Sequence, residues 1–555
     1  MVNTKNVFII LLKNMSEKLQ AGYFLYMKFS ILFFFILFST IDLDAQSIIW
    51  QTCLGGTGTD EAVSILHNDD GSIIVAGNTS SDNGSCSCSH GNQDAWIACL
   101  NSDGILRWRR CLGGSNMDNV HSVIPCYDGG YLLCGYTNST DGDVQGFHTT
   151  PFNYVMDCWL VKLDSTGAIQ WQHCYGGSSD DQGIAAVQLP DGGFVFTGYS
   201  SSIDGDVSFL YDTTGLGKDV WVVRVDAYGS ILWDKTIGSL DNETPADLKF
   251  MPGNGIYVLS NSGQPGGDIL ANYGGSDIWL FSLDLTGALR WTKNYGGSGN
   301  DVGNKLLMSP GGKFWIGASS ASSDIDVPMN YGGVDNLLLL LDSTGFVLSS
   351  FTSGGSQDDA LLSLSKTDNS NSVVVLSTSS SSDEDVPSNY GSTDIWLYKF
   401  DSDQGILFSK TFGGSQEDRA VEVVVTQDGS SFFTGTIWSN DNDVTLLNGG
   451  SDIWVVSLSA LIGVDEISSK ENLVTVSPNP FSNQTTFYLP QKTDIGESNT
   501  LYVYDLSGKR IGGEMKFDGS SYELRNTEFS PGTYLYEILS SHGVHFHGYI
   551  VVGLK

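Results

Sequence analysis

A pair of small residues led by glycine returns along most of this 555-residue chain at nearly constant intervals. It opens at Gly55, Gly113, Gly176, Gly238, Gly296, Gly354 and Gly413, in steps of 58, 63, 62, 58, 58 and 59 residues. A fixed period of this length restricts the fold to a repeat architecture, because each unit buries its apolar faces only against its neighbours. Five residues before the pair stand Trp50, Trp108, Trp171, Trp233 and Trp291, then Ser349 and Phe408 in the last two units. A second tryptophan follows an aspartate by two residues in Asp94/Trp96, Asp157/Trp159, Asp219/Trp221, Asp277/Trp279, Asp394/Trp396 and Asp452/Trp454, with Leu337 after Asp335 in the remaining copy.

Each unit reads as four short strands. In the third, Ile184 to Leu189 and Phe194 to Tyr199 are apolar runs joined by Pro190-Asp191-Gly192-Gly193, a hairpin pattern. A polar loop then leads to Val220–Val225, a turn at Asp226-Ala227-Tyr228-Gly229, and a last run from Ser230 to Ile237. Such a meander cannot bury both of its faces alone, and radial stacking of four-stranded sheets is a β-propeller. The seventh unit ends with its third strand at Ser457-Leu458-Ser459, while Ser47 to Cys53 is a lone fourth strand ahead of the first unit. The orphan strand is therefore expected to complete the last sheet, which removes two exposed sheet edges; an open solenoid would need caps instead.

Composition agrees with this fold class. Hydrophobic residues at 41% and aromatics at 11% supply a core, and 66 glycines among many Ser, Asn and Asp residues favour short strands and turns over helical bundles. With 27 Lys plus Arg against 63 Asp plus Glu, the formal charge of −36 repels phosphate backbones and anionic membranes. Nucleic acid is excluded as a partner; cations, neutral sugars and basic proteins are not.

The N-terminus has the pattern of a secretory signal peptide: Lys28, an apolar run from Phe29 to Phe38, and a small residue at Ala45. The run is too short to span a bilayer. Region 1–45 is read as a leader with Met27 as its start and cleavage after Ala45, leaving no integral membrane segment in the mature chain. The further division is a propeller over 46–462, a linker over 463–475 and a second β-sandwich domain over 476–555.

Two resemblances follow from these residues. Gly-Gly-Ser-x-x-Asp, the Asp-Gly-Gly turn, a glycine closing the second strand (Gly77, Gly135, Gly198, Gly317, Gly435) and Asp-x-Trp resemble the seven-bladed β-propeller repeat family of exported bacterial proteins. That resemblance implies the fold and leaves the activity open. The C-terminal part carries Pro478-Asn479-Pro480, Tyr504-Asp505 with Gly508, and Gly532 with Tyr534. It resembles the type A sorting domain of the type IX secretion system of Bacteroidetes, which implies secretion or surface attachment and the secretion machinery as a partner. The alternative is an ordinary immunoglobulin-like appendage.

Two acidic sets are candidate sites. Asp60, Asp118, Asp181, Glu243, Asp301, Asp359 and Asp418 open the first strand of each unit and are expected to ring one mouth of the central channel. Their structural alternative is closing hydrogen bonds between blades. The long loops carry Asp141/Asp143, Asp204/Asp206, Asp324/Asp326, Asp383/Asp385 and Asp441/Asp443, with Asp268 alone in the fourth unit. Paired carboxylates beside glycine are the ligands a hard cation such as Ca²⁺ takes, although Asp also accepts backbone amides in its own turn.

Other signals are weaker. Asp164 to Trp171 and Asp284 to Trp291 approach, one residue short, the docking motif of pyrroloquinoline-quinone dehydrogenase propellers; the tryptophans are expected to pack between blades. Of the histidines, His545 and His547 alternate on a C-terminal strand near His542. All nine cysteines lie between Cys53 and Cys174; Cys53, Cys111 and Cys174 share a repeat position and are expected to lie too far apart to bridge one another, and Cys86-Ser87-Cys88 near His90 suggests a local staple or a metal contact. No nucleophile-elbow, His-Glu-x-x-His or phosphate-cradling motif appears, so no catalytic residue is assigned. The sequence reads as an exported scaffold for binding or adhesion to a glycan or protein, the alternative being a secreted glycosidase-like hydrolase working through two carboxylates, or another propeller enzyme, acting at the acidic loop face.

Overall fold

The computed structural model describes residues 47–459, apart from 88, 149–154, 212–216, 310–311 and 368–370, and residues 475–552, apart from 478–483, 489–497, 505–508, 519–520, 526–528, 531 and 541–544. The leader expected over 1–45 lies outside the described residues, as does most of the stretch expected to be a linker.

Between Ile48 and Leu458 the chain forms seven four-stranded antiparallel sheets. Their first strands are Asp60–His67, Asp118–Pro125, Asp181–Gln188, Glu243–Met251, Asp301–Ser309, Asp359–Lys366 and Asp418–Val425, and these define blades 1 to 7. Blade 3 shows the pattern: Asp181–Gln188, Phe194–Ser200, Asp219–Val225 and Ile231–Ile237 pair in sequence order. First strands of successive blades touch in turn, and that of blade 7 touches that of blade 1. The strand Ile48–Leu54 pairs antiparallel with Asp452–Leu458, with Thr52 opposite Val455, so the start of the described chain supplies the fourth strand of blade 7. Trp454 Nε1 donates to Gln51 Oε1 at 2.9 Å across the same seam. These repeated sheets are a β-propeller.

Burial follows from the strand pattern. Third strands are buried on both faces, and Trp96, Trp221, Trp279, Trp396 and Trp454 of Asp-x-Trp are fully enclosed between blades. The outer tryptophans do as expected: the indole N–H groups of Trp50, Trp171 and Trp233 donate to Ser102, Ala227 and Leu285 carbonyls in the next blade's outer turn, at 2.9, 3.1 and 3.0 Å. Blade 5, which has Leu337 in place of tryptophan, instead buries Trp315 from its second strand.

The C-terminal part has two further sheets. One joins Thr475–Ser477, Gln484–Tyr488 and Ser521–Arg525; the other joins Arg510–Asp518, Ser498–Tyr504, Gly532–Ser540 and His545–Val552. Phe487 and Leu524 from the first pack with Leu501, Val503 and Ile538 from the second, a small sandwich core.

Candidate functional site

Loops joining second to third strands and one blade to the next emerge on one face, and both acidic sets lie there. Asp60, Asp118, Asp181, Glu243, Asp301, Asp359 and Asp418 do stand at the head of the seven innermost strands, but each is 0% exposed. Their carboxylates turn into the loops instead of toward open solvent. Asp118 Oδ2 accepts Gly114 N and Ser139 Oγ, both at 2.7 Å, and Thr137 Oγ1 donates to its Oδ1. Asp301 repeats the set with Gly297 N and Ser322 Oγ, again at 2.7 Å. Asp418 departs by accepting Trp438 and Ser439 amides at 3.2 and 3.3 Å. The physical reason is donor supply: a turn with several free N–H and O–H groups outbids water for a carboxylate already leaving it. Burial still pushes Asp181 and Glu243 up to about 7 and raises Asp118 and Asp359.

The Asp-x-Asp pairs close the long loop onto the glycine pair. The first aspartate accepts the amide two residues past the anchor glycine: Asp141 from Ser115, Asp204 from Ser178, Asp324 from Ser298 and Asp441 from Ser415 at 2.7 Å, and Asp383 from Ser356 at 2.8 Å. Asp143, Asp206, Asp268, Asp326 and Asp385 instead face the N–H of the anchor glycine itself at 3.3 Å, a long contact. Asp443 Oδ2 accepts nothing. Blade 1 fills the two positions with Asn83, accepting Thr57 N at 2.8 Å, and Ser85, accepting Gly55 N at 2.7 Å. The intervening residue has positive φ in every blade: Gly84, Gly142, Gly205 and Gly267, then Ile325, Glu384 and Asn442. Among the described residues, no three His, Cys, Asp or Glu side chains stand together as a metal cage.

A third acid, the aspartate of Asp-x-Trp, completes each junction from the preceding blade, and sequence reading assigned it no role. Asp94, Asp277, Asp335, Asp394 and Asp452 are 0% exposed and Asp157 is 1% exposed. Each uses Oδ2 to accept the amide of a loop residue: His90, His148, Tyr273, Tyr331, Tyr390 or Asn448. At the junction of blades 2 and 3 the imidazole joins in, with His148 Nδ1 2.9 Å from Asp157 Oδ2 and Nε2 3.8 Å from Asp206. Its hydrogen bond to Asp157 holds His148 above the usual imidazole range. The next junction has a phenol there, Tyr211 donating to Asp268 at 2.8 Å. Phe147, His148, Ser178 and Asp204 line an open cavity of about 410 Å³ beside the His148–Asp157 pair.

The channel holds a second feature the repeat pattern hid. Four residues after each ring acid stand Ser64, Ser122, Ala185, Asp247, Lys305, Ser363 and Glu422. Every innermost strand has a register shift just before this residue. Lys305 Nζ of blade 5 reaches Glu422 Oε1 of blade 7 at 2.6 Å, and Glu422 Oε2 accepts Ser64 Oγ of blade 1 at 2.7 Å. Asp247 of blade 4 accepts the Leu306 amide at 2.9 Å and Lys249 Nζ at 2.8 Å. Lining up the seven units by position would have revealed this ring as the place where charge appears in only three copies.

Cys134 and Cys158 lie together in the core between blades 2 and 3, while Cys86 is a free thiol, so the expected Cys86-Ser87-Cys88 staple does not form. Cys53, Cys86, Cys99, Cys126, Cys134, Cys158 and Cys174 are free thiols and Cys111 is disulfide-bonded. Burial pushes the Cys86 thiol up to about 12, which leaves it unreactive. Of the C-terminal motifs, Pro478, Asn479, Pro480, Asp505 and Gly508 lie outside the described residues, as does His542. Tyr504 ends one strand and Gly532 begins another. Tyr534 donates to the Ser530 carbonyl at 2.9 Å, and His545 and His547 lie on the last strand.

Residues 475–552 match the family model of the secretion system C-terminal sorting domain. The chain is cargo of the type IX secretion system, secreted or attached at the cell surface. Among the described residues no helix is long and apolar enough to cross a membrane. The chain is 24% identical over 205 residues to the regulatory protein FlaEY of Caulobacter vibrioides, spanning 35% of this chain and only 21% of FlaEY. A member of the DUF4221 family from Bacteroides vulgatus is 9% identical, with 75% of this chain and 98% of that one covered at a TM-score of 0.32. The apocarotenoid oxygenase of Synechocystis is 11% identical, with 73% and 94% covered at 0.37. At these scores neither lends its chemistry to this chain.

Proposed function

We propose that this is an exported propeller scaffold for binding or adhesion, made with a cleaved leader ending at Ala45 and displayed at the outer surface by its sorting domain. The observation that carries the reading is the loop face of blades 3 to 7. Ile203, Phe209, Leu270, Ile325, Tyr390 and Leu446 are there 59%, 54%, 76%, 61%, 45% and 53% exposed, on loops whose backbones are braced by buried carboxylates. Exposed apolar side chains set among polar groups on a rigid frame serve recognition of a protein or glycan surface. The secreted protein is expected to bind on a glycan and matrix-protein array, and alanine at Phe209, Leu270 and Tyr390 together is expected to weaken that binding at least tenfold. Binding unchanged by this variant would refute the face.

The hydrolase reading has one observation in its favour, the His148–Asp157 pair at 2.9 Å beside the 410 Å³ cavity. Turnover of chromogenic glycosides or esters that is lost in His148→Gln would replace the scaffold reading.

A further inference from the structure

At six blade junctions one carboxylate oxygen is buried with nothing bonded to it: Oδ1 of Asp94, Asp157, Asp277, Asp335, Asp394 and Asp452. A buried charge acceptor without a donor is costly, and the same atom recurs in copy after copy. The oxygen faces the acid that opens the next blade. A Cβ built on Gly296 would lie 2.9 Å from Asp277 Oδ1 and 2.6 Å from Asp301 Oδ2; on Gly113 it would lie 2.7 Å from both Asp94 Oδ1 and Asp118 Oδ2. Two carboxylates thus converge on one glycine, and only the second is supplied with donors.

We propose that these junctions are cation sites, each taking a hard divalent ion, Ca²⁺, between the Asp-x-Trp aspartate of one blade and the ring acid of the next. A proton, a buried water or a cation would satisfy that oxygen, and the second carboxylate converging on the same point favours the cation. An all-oxygen donor set selects Ca²⁺ or Mg²⁺ over transition metals. With two carboxylates per site, backbone carbonyls and water complete the shell, and the affinity falls in the range of about 10⁻⁴–10⁻³ M typical of extracellular calcium modules. These are different carboxylate pairs from the Asp-x-Asp pairs, whose first members are occupied by loop amides. The inference stands apart from what the loop face binds.

The test uses the whole secreted protein, stripped with EDTA and titrated with CaCl₂ at constant ionic strength, read by calorimetry and by melting temperature. About six equivalents of Ca²⁺ per chain and a rise in Tm are expected. The variant carrying Asp277→Asn, Asp335→Asn and Asp394→Asn is expected to lose about three equivalents and much of the rise, while Asp441→Asn retains both. If the triple variant is not secreted, Asp277→Asn alone should lose one equivalent. Absence of calcium-dependent heat and Tm shift in the parent, or a triple variant that keeps the parent's calcium response, overturns the proposal. A triple variant that matches or exceeds the parent's Tm in EDTA while neither responds to Ca²⁺ would assign the oxygens to carboxylic acids, the role a neutral amide can imitate.

Discussion

Lys305 Nζ lies 2.6 Å from Glu422 Oε1 although the two residues belong to blades separated by a whole blade. Their contact therefore passes over the channel and ties blade 5 to blade 7 independently of blade 6, and Ser64 extends the tie to blade 1. Removing one partner leaves a charge with poor access to water. Lys305→Met is expected to cost about 2–3 kcal/mol, somewhat below the range for a fully dry pair because both side chains keep some exposure. Equilibrium denaturation checks this, and Lys305→Met with Glu422→Gln should recover part of the loss. A cost under about 0.5 kcal/mol would place the pair among ordinary surface ion pairs.

The same cluster sets a response to acid. Burial alone would raise Asp247 and Glu422, but Lys249 and Lys305 hold Asp247 low and Lys305 holds Glu422 low. A folded pKa below the unfolded one contributes stability above the unfolded value, near 4, and that contribution disappears as pH falls through the depressed value. Melting temperature is expected to drop as pH falls below about 4, and the Lys305→Met variant should show a shallower drop. Equal slopes in the two proteins would contradict this assignment.

Ile325 occupies the left-handed region at φ 59°, where blades 1 to 4 place glycine. A β-branched residue is strained there by about 1–2 kcal/mol, only partly offset by the entropy glycine loses on folding. Ile325→Gly is expected to stabilise the protein by about 1 kcal/mol. Asn442→Gly should change less, because asparagine tolerates this conformation. Chemical denaturation of the two variants measures the difference.

Deleting 47–54 would uncover the full length of Asp452–Leu458, a strand buried on both faces in the intact sheet. An unpaired apolar edge templates pairing with another chain. Light scattering after size exclusion is expected to show loss of the monomer and growth of larger species. A truncated protein that stays monomeric with an unchanged Tm would mean that this strand adds nothing to the ring.

Much of the architecture was legible along the chain because its determinants are local: Pro190-Asp191-Gly192-Gly193 makes a hairpin wherever it falls, and a 58–63-residue period forces neighbours to stack. The C-terminal motifs likewise pointed to the sorting domain, since those residues sit at fixed offsets. Direction was not legible. Asp301 opens an innermost strand, yet whether its carboxylate faces the channel or the loop depends on Ser320, Ser322 and Gly297, which only folding brings to it. The meeting of Asp277 with Asp301, and of Lys305 with Glu422, was likewise decided by tertiary structure alone. Periodicity specifies what each unit repeats, whereas contacts between units depend on the small rotation from blade to blade, which no single repeat encodes.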